Sequence, residues 1–253
     1  ALLETLAAPP KVLAGHSMGG TSGLVAAGLR PDLLEGLVLL DPVVMRETVA
    51  SALTRGVRIG AHPGYPDLVG FGRRDLAVTP SEVEAIVVYQ IGALQAVCAA
   101  AGARLRYVKP HGSLYNRAAR DAATADAIAR AVRSVDSSLI LLGLARSALI
   151  EAADRVGIRS VSEAFVDRAY RSDGSLVPRT EPGAVLTDVG AVADRALRMV
   201  ETGTVLAADG SVVRVRAESL CVHGDDRDAA AIVRAVRTRM EQAGVSVATF
   251  AQD

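Results

Sequence analysis

The sequence predicts an α/β protein built on a parallel β-sheet, and three observations carry that reading. Short, continuously apolar β-prone runs alternate with longer helical ones along the chain. These runs lack the alternation of a half-exposed strand, which is what strands covered on both faces show. At 253 residues, 50% of them apolar, the chain is long enough for a well-buried core in one large domain or two small ones. Repeated βα units of this kind close into a barrel or fan into an open, doubly wound sheet.

Strands are expected at 11–14, 36–40, 57–60, 105–108, 139–143, 158–162 and 220–222. Helices are expected at 21–28, 43–55, 81–101, 122–135, 147–156, 189–200 and 226–243. In "TPSEVE" (79–84), Ser81 stands three residues before Glu84, a capping-box spacing, and Gly102 follows the helix that begins there. Two β-prone runs around "AADG" (207–210) suggest a hairpin within 204–216. The polar segment 164–187 has little periodicity, and loops of that length are functional or disordered.

Composition excludes several classes. Positive and negative side chains balance at 28 each with no basic run, which gives no footprint for nucleic acid or an anionic membrane. No apolar stretch is read as approaching the roughly 18 residues of a spanning helix. There is no Lys/Arg-led signal peptide, and an opening at Ala1 suggests a trimmed beginning. Cys98 and Cys221 lack CxxC spacing, which argues against a zinc knuckle or disulfide scaffold and for a reducing, cytoplasmic setting.

The four histidines, His16, His62, His111 and His223, each follow an expected strand within about three residues. In parallel α/β folds the carboxyl ends of the strands share one face, and active sites sit there. Lys109 stands beside His111 in "KPHG"; "SEAFVDRAY" contributes Glu163, Asp167 and Arg168; "HGDD" contributes His223 and Asp225. Imidazoles and carboxylates converging on one face suit general acid/base work or a divalent metal. The candidate catalytic set is therefore His62, Lys109, His111, Glu163, Asp167, Arg168, His223 and Asp225. Of these, His62, His111, Glu163, Asp167 and His223 are expected to line one pocket. Blander readings stand beside it: a structural histidine, a local Asp167–Arg168 ion pair, and Asp225 capping the last helix. In "GAHPGYPDLVGFGRR" (60–74), proline and glycine force an irregular backbone that can hold His62, Tyr65 and Asp67, while Gly70 and Gly72 permit close approach to a ligand.

The segments "GAHPGYPDLVGFGRR", "YQIGALQA", "VKPHGSLYN", "EAFVDRAYRSDGSLVPR" and "LCVHGD" resemble the LamB/YcsF family, in order and at natural spacing, from about Asp41 to Val247. That resemblance implies a distorted parallel β/α barrel, TIM-like and related to metal-dependent deacetylases. It also implies ATP-dependent opening of the 5-oxoproline lactam to glutamate, with this chain as the A component of a 5-oxoprolinase working with B and C partner subunits. ATP is then expected through the complex, and a divalent metal is admissible.

The opening departs from the family. Its members begin with an Asp-Leu-Asn-x-Asp-Leu-Gly-Glu strand and a later Gly-Phe-His-Ala-Gly-Asp-Pro turn, of which only Asp41–Pro42 remain here. Residues 11–41 instead resemble an α/β-hydrolase segment, with "GHSMGG" as a nucleophile elbow, Ser17 as nucleophile and the Met18 amide in an oxyanion hole. The expected organisation is a hydrolase-like βαβ segment, 1–41, integrated in the sheet as a substituted N-terminal unit, followed by a LamB/YcsF-like barrel domain, 42–253. Three alternatives to a lactam-opening role stand: a serine hydrolase acting through Ser17, a metal-dependent deacetylase-like hydrolase, and an inactive binding subunit. Fluorophosphonate labelling, chelator-sensitive amide hydrolysis without ATP, and binding without turnover distinguish them.

Overall fold

Strands covered by helices on one face and by each other across a curled interior need apolar side chains on both faces, and the expected sheet forms on that basis. The computed structural model describes residues 13–15, 36–39, 49, 52–54, 56, 58–223 and 228–251. Among the described residues, seven strands form one all-parallel sheet: β1 (Leu13–Gly15), β2 (Gly36–Leu39), β3 (Arg58–Ala61), β4 (Leu105–Val108), β5 (Ile140–Leu144), β6 (Ser160–Phe165) and β9 (Ser219–Cys221), adjacent in that order. A separate antiparallel hairpin of β7 (Thr204–Leu206) and β8 (Val212–Arg214) turns at Gly210, whose φ of 84° is left-handed. Between the strands run α1 (Pro80–Ala100), α2 (Gly112–Ala118), α3 (Ala122–Val135), α4 (Ala148–Val156) and α5 (Val189–Thr202), with α6 (Ala229–Gln242) after β9. Residues 49 and 52–54 are also helical. The architecture is a distorted, TIM-like β/α barrel; among the described residues no ladder joins β9 back to β1.

Alternation along the strands sorts side chains between two cores. Ile59, Leu105, Val108 and Leu141 pack against Val83, Val87, Ile91 and Ile128 of the outer helices. Facing the other way, Tyr107, Ile140, Leu142 and Val161 form an inner cluster closed by Ala251, with Phe250 packed against it. An irregularity between β3 and β4 decides this sorting: Ile59 pairs with Leu105 but Gly60 pairs with Tyr107, so Arg106 is the extra residue. Gly60 is small because the Tyr107 ring fills its place; a Cβ there would stand 2.1 Å from the ring.

Several local expectations change. The capping box of α1 is Thr79 with Glu82, two residues earlier than expected, because Pro80 occupies the first helical position. Helix α1 is long and apolar enough to span a membrane, with a mean hydropathy of 1.6, contrary to the sequence reading. Its buried Val83, Val87, Ile91, Leu94 and Cys98 have the spacing of a helix seated on a core. Helix α2 was not expected; seven residues are too few to show a period. Segment 166–187 is ordered by β-bridges Arg168–Val185 and Tyr170–Leu176 around buried Ala169, Val177 and Ala184.

Candidate functional site

The inner-facing positions of the strands continue upward from the apolar cluster into polar residues. Two residues past Gly60 is His62, two past Tyr107 is Lys109, two past Val161 is Glu163 and two past Ser219 is Cys221. Ladder bonds carry this register beyond the strands: the Lys109 amide donates to the Ala61 carbonyl at 2.8 Å, and the Ala145 amide to that of Glu163 at 2.9 Å. The period-two rule therefore delivers these side chains to one carboxyl-end layer.

At its centre lies a buried ion pair, Lys109 Nζ to Glu163 Oε1 at 2.7 Å. Lys109 Nζ also lies 3.4 Å from Cys221 Sγ, and the Tyr115 hydroxyl donates to Glu163 Oε2 at 3.2 Å. The rings of Phe165 and Tyr115 stand 5.2 and 5.9 Å from the ammonium. Burial works against the Lys109 ammonium, but Cys221 and Glu163 outweigh it and hold its pKa above the ordinary lysine range. Burial pushes the Cys221 thiol up to about 12, with Lys109 pulling the other way, so it is neutral at physiological pH. Burial and then Glu163 raise the Tyr115 phenol well above its ordinary value, so it too stays protonated.

Beside this pair is a second dyad. Asp167, 2% exposed, accepts a hydrogen bond from the His223 amide at 2.6 Å and meets His223 Nδ1 at 3.0 Å. Burial alone would raise the Asp167 carboxyl, but its bonds to His223 outweigh it and lower its pKa. An ionised carboxylate only accepts, which assigns a proton to Nδ1. Phe165 joins the two dyads, stacking on the His223 ring at 5.4 Å while it faces Lys109.

On the other side of Lys109, His62 Nδ1 contacts the Lys109 carbonyl, and the His62 and His111 rings meet edge to face at 5.0 Å. A carbonyl accepts only, so His62 Nδ1 carries the proton. His111 opens α2 and is held through its amide to the Pro63 carbonyl at 2.9 Å. The 60–74 loop is built around it. Gln90 of α1 clamps Gly64 through both amide atoms, at 3.1 and 2.7 Å, and the Gly72 carbonyl accepts from the Ser113 amide at 2.9 Å. A Cβ on Gly72 would approach His111 Nδ1 to 3.0 Å. Phe71, in left-handed backbone at φ 59°, lays its ring against His111 at 5.8 Å. Asp67 closes the loop by accepting from the Gly70 amide at 2.8 Å and from Arg74 Nε at 3.0 Å; the Arg74 bond first of all depresses its carboxyl pKa to about 2.

Of the residues nominated from sequence, the structure brings His62, Lys109, His111, Glu163, Asp167 and His223 into this one connected group. Arg168 points elsewhere, donating to the carbonyls of Ala184 at 3.1 Å and Val177 at 2.5 Å, and so ties down the 166–187 segment. Asp225, His16, Ser17 and Met18 lie outside the described residues. Sequence reasoning missed Tyr115, Phe165 and Cys221, although period two from Glu163 and from His223 marks the last two. As for a metal, among the described residues no three His, Cys, Asp or Glu side chains are grouped to hold one.

Residues 40–253 match the LamB/YcsF family. The chain is 56% identical over 207 residues to the A subunit of 5-oxoprolinase from Heliobacterium modesticaldum, covering 82% of each chain. It is 43% identical over 244 residues to the corresponding 5-oxoprolinase component of Bacillus subtilis, covering 93% of this chain and 95% of that one. Among solved structures it is similar to the lactam utilization protein from Thermus thermophilus, with a TM-score of 0.80 at 44% identity, over 95% of this chain and 100% of that one.

Proposed function

This chain belongs to the LamB/YcsF family, and from that premise we propose that it serves as the A component of a 5-oxoprolinase, opening the 5-oxoproline lactam to glutamate in an ATP-coupled complex with B and C partner subunits. The observation that carries the reading is the placement of the buried Lys109–Glu163 ion pair beside an oriented His223–Asp167 dyad, the two joined by Phe165.

A lactam is an unreactive amide, so opening it requires an activated carbonyl and a positioned water. Lys109 has three N–H donors; Glu163 and Cys221 take two, and the third is assigned to the lactam carbonyl oxygen, where negative charge develops. His223 Nε2 accepts a proton from water as its oxygen bonds to the carbonyl carbon. The same nitrogen returns the proton to the ring nitrogen as the C–N bond breaks, and Asp167 holds the ring throughout. His62 and His111 wall the opposite side.

A nucleoside triphosphate carries several negative charges, whereas the one ammonium at the centre of this site is already paired with Glu163. The described site does not fit that group, so no step here runs through ATP, and ATP binding and hydrolysis are assigned to the partner subunits. The carboxylates are likewise engaged, Glu163 by Lys109 and Tyr115, Asp167 by His223, and no step is derived through a metal.

The test is glutamate formation coupled to ATP hydrolysis in the reconstituted complex, with Lys109→Met and His223→Ala variants in place of the normal chain. Loss of glutamate formation in both is the expected result. Undiminished turnover in either variant would overturn these roles. Chelator-sensitive amide hydrolysis without ATP, or fluorophosphonate labelling of Ser17 with loss of activity, would overturn the reaction itself.

A further inference from the structure

The proposed chemistry leaves Tyr115 without a part, yet Tyr115 is built into the ion pair. Glu163 is 3% exposed and Tyr115 4%. Each carboxylate oxygen of Glu163 has its own donor, Lys109 on Oε1 and the Tyr115 phenol on Oε2. The Tyr115 ring meets Phe165 edge to face at 5.6 Å, and Phe165 is the residue shared with His223. Helix α2, which carries Tyr115, starts at Gly112 with a left-handed φ of 58°; a Cβ there would lie 2.4 Å from the Gly72 carbonyl oxygen. The backbone is thus shaped to bring this helix, and its tyrosine, back over the strand ends.

A lysine ammonium sits on four rotatable bonds, and a carboxylate held at a single oxygen turns freely about its own last torsion. A second donor on the other oxygen fixes the carboxylate plane and therefore the direction from which the ammonium is held. We propose that Tyr115 is a positioning residue: its phenol locks the Glu163 carboxylate, which in turn aims the Lys109 ammonium, with Cys221 receiving a second N–H. For catalysis this rests on the reading that Lys109 binds the lactam carbonyl; the clamp itself does not depend on it.

Cys221 supplies a readout that needs neither substrate nor partner subunits. Burial raises its thiol most; against that fixed background Lys109 lowers it and Glu163 and Asp167 raise it, so a change in its alkylation rate reports a change in where the ammonium lies. The experiment uses the full chain with Cys98→Ser, so that the half-buried Cys221 is the one remaining thiol. Tyr115→Phe keeps the ring and removes only the hydroxyl. Iodoacetamide at mildly alkaline pH should alkylate Cys221 severalfold faster in Tyr115→Phe, because an ammonium released from Glu163 favours the thiolate. That acceleration should vanish when Lys109→Met is already present, as coupling through Lys109 requires; Lys109→Gln serves if the methionine variant does not fold. In the complete complex, Tyr115→Phe should lower kcat about tenfold with KM nearly unchanged, the pattern of a contact that strengthens only in the transition state.

An unchanged thiol rate, or an equal acceleration with and without Lys109, would overturn the clamp and mark Tyr115 as packing alone. Thiol coupling through Lys109, combined with turnover indifferent to Lys109, would overturn the ring-opening reading and leave the clamp standing.

Discussion

Two layers of the barrel interior lie only two residues apart along the same strands and differ in almost everything else. The lower layer holds Tyr107, Ile140, Leu142 and Val161, sealed by Phe250 and Ala251. Arg58 Nε donates to the Ala251 carbonyl at 3.0 Å, and the Phe250 and Tyr107 rings meet edge to face at 5.4 Å. The upper layer holds His62, Lys109, Glu163 and Cys221, with a salt bridge at its centre. The lesson is one of support. A buried ion pair stays together when its geometry is tightly held, and here the aromatic rings of Tyr115 and Phe165 flank the ammonium directly above the apolar floor.

The largest expected effect comes from breaking the upper layer. Lys109→Met leaves the Glu163 carboxylate buried without its counter-charge, and removing one partner of such a pair destabilises by about 3–5 kcal/mol. Denaturant unfolding should show this, and, on the proposed role of Lys109, glutamate formation should fall by about two to three orders of magnitude, the cost of losing one oxyanion donor. Asp167→Asn follows. It keeps the size of the side chain but gives the His223 nitrogen an ambiguous partner, so kcat should drop about a hundredfold or more while the melting temperature moves little. Retention of full kcat would show that His223 needs no orienting carboxylate.

The floor is probed next. Gly60→Ala forces a methyl group into the Tyr107 ring, and overpacking of this kind destabilises by about 1–3 kcal/mol. If the floor supports the site, kcat should fall as well, although residue 60 lies in the floor and not in the polar layer; a stability loss with unchanged kcat would separate the two layers. The smallest effect belongs to Asp67, which lies in neither layer. The Asp67 carboxyl is depressed from 3.8 to about 2, so its contribution to stability is fully present above its ordinary value and is lost as pH falls through about 2. Asp67→Asn should remove that part of the acid sensitivity, seen as a shallower loss of melting temperature between about pH 5 and pH 2.

Much of this site was legible beforehand because its chemistry sits where parallel strands end. His62, Lys109, His111, Glu163 and His223 each stand within three residues past an apolar run or at its end, and a continuous apolar run is a local signal. Tyr115 was hidden because it rides a short helix that no periodicity announces. Arg168 looked equally suited to the cleft, but its guanidinium meets the carbonyls of Val177 and Ala184, which lie 9 and 16 residues on in an irregular segment.

What the sequence by itself determined is the alternation of strand and helix, since apolar runs and caps act within a few residues of their own position. The motifs that carry the family resemblance were equally plain in it. Tertiary structure alone decided which strand face carries which residue. The extra residue Arg106 in β4 resets the pairing so that Tyr107 and Lys109, not Leu105, look inward, and only pairing with β3 creates that reset. It also decided the partners: Lys109 and Glu163 are 54 residues apart, and Asp167 and His223 are 56. Contacts at that separation depend on the spatial order of the strands, which no local pattern of side chains encodes.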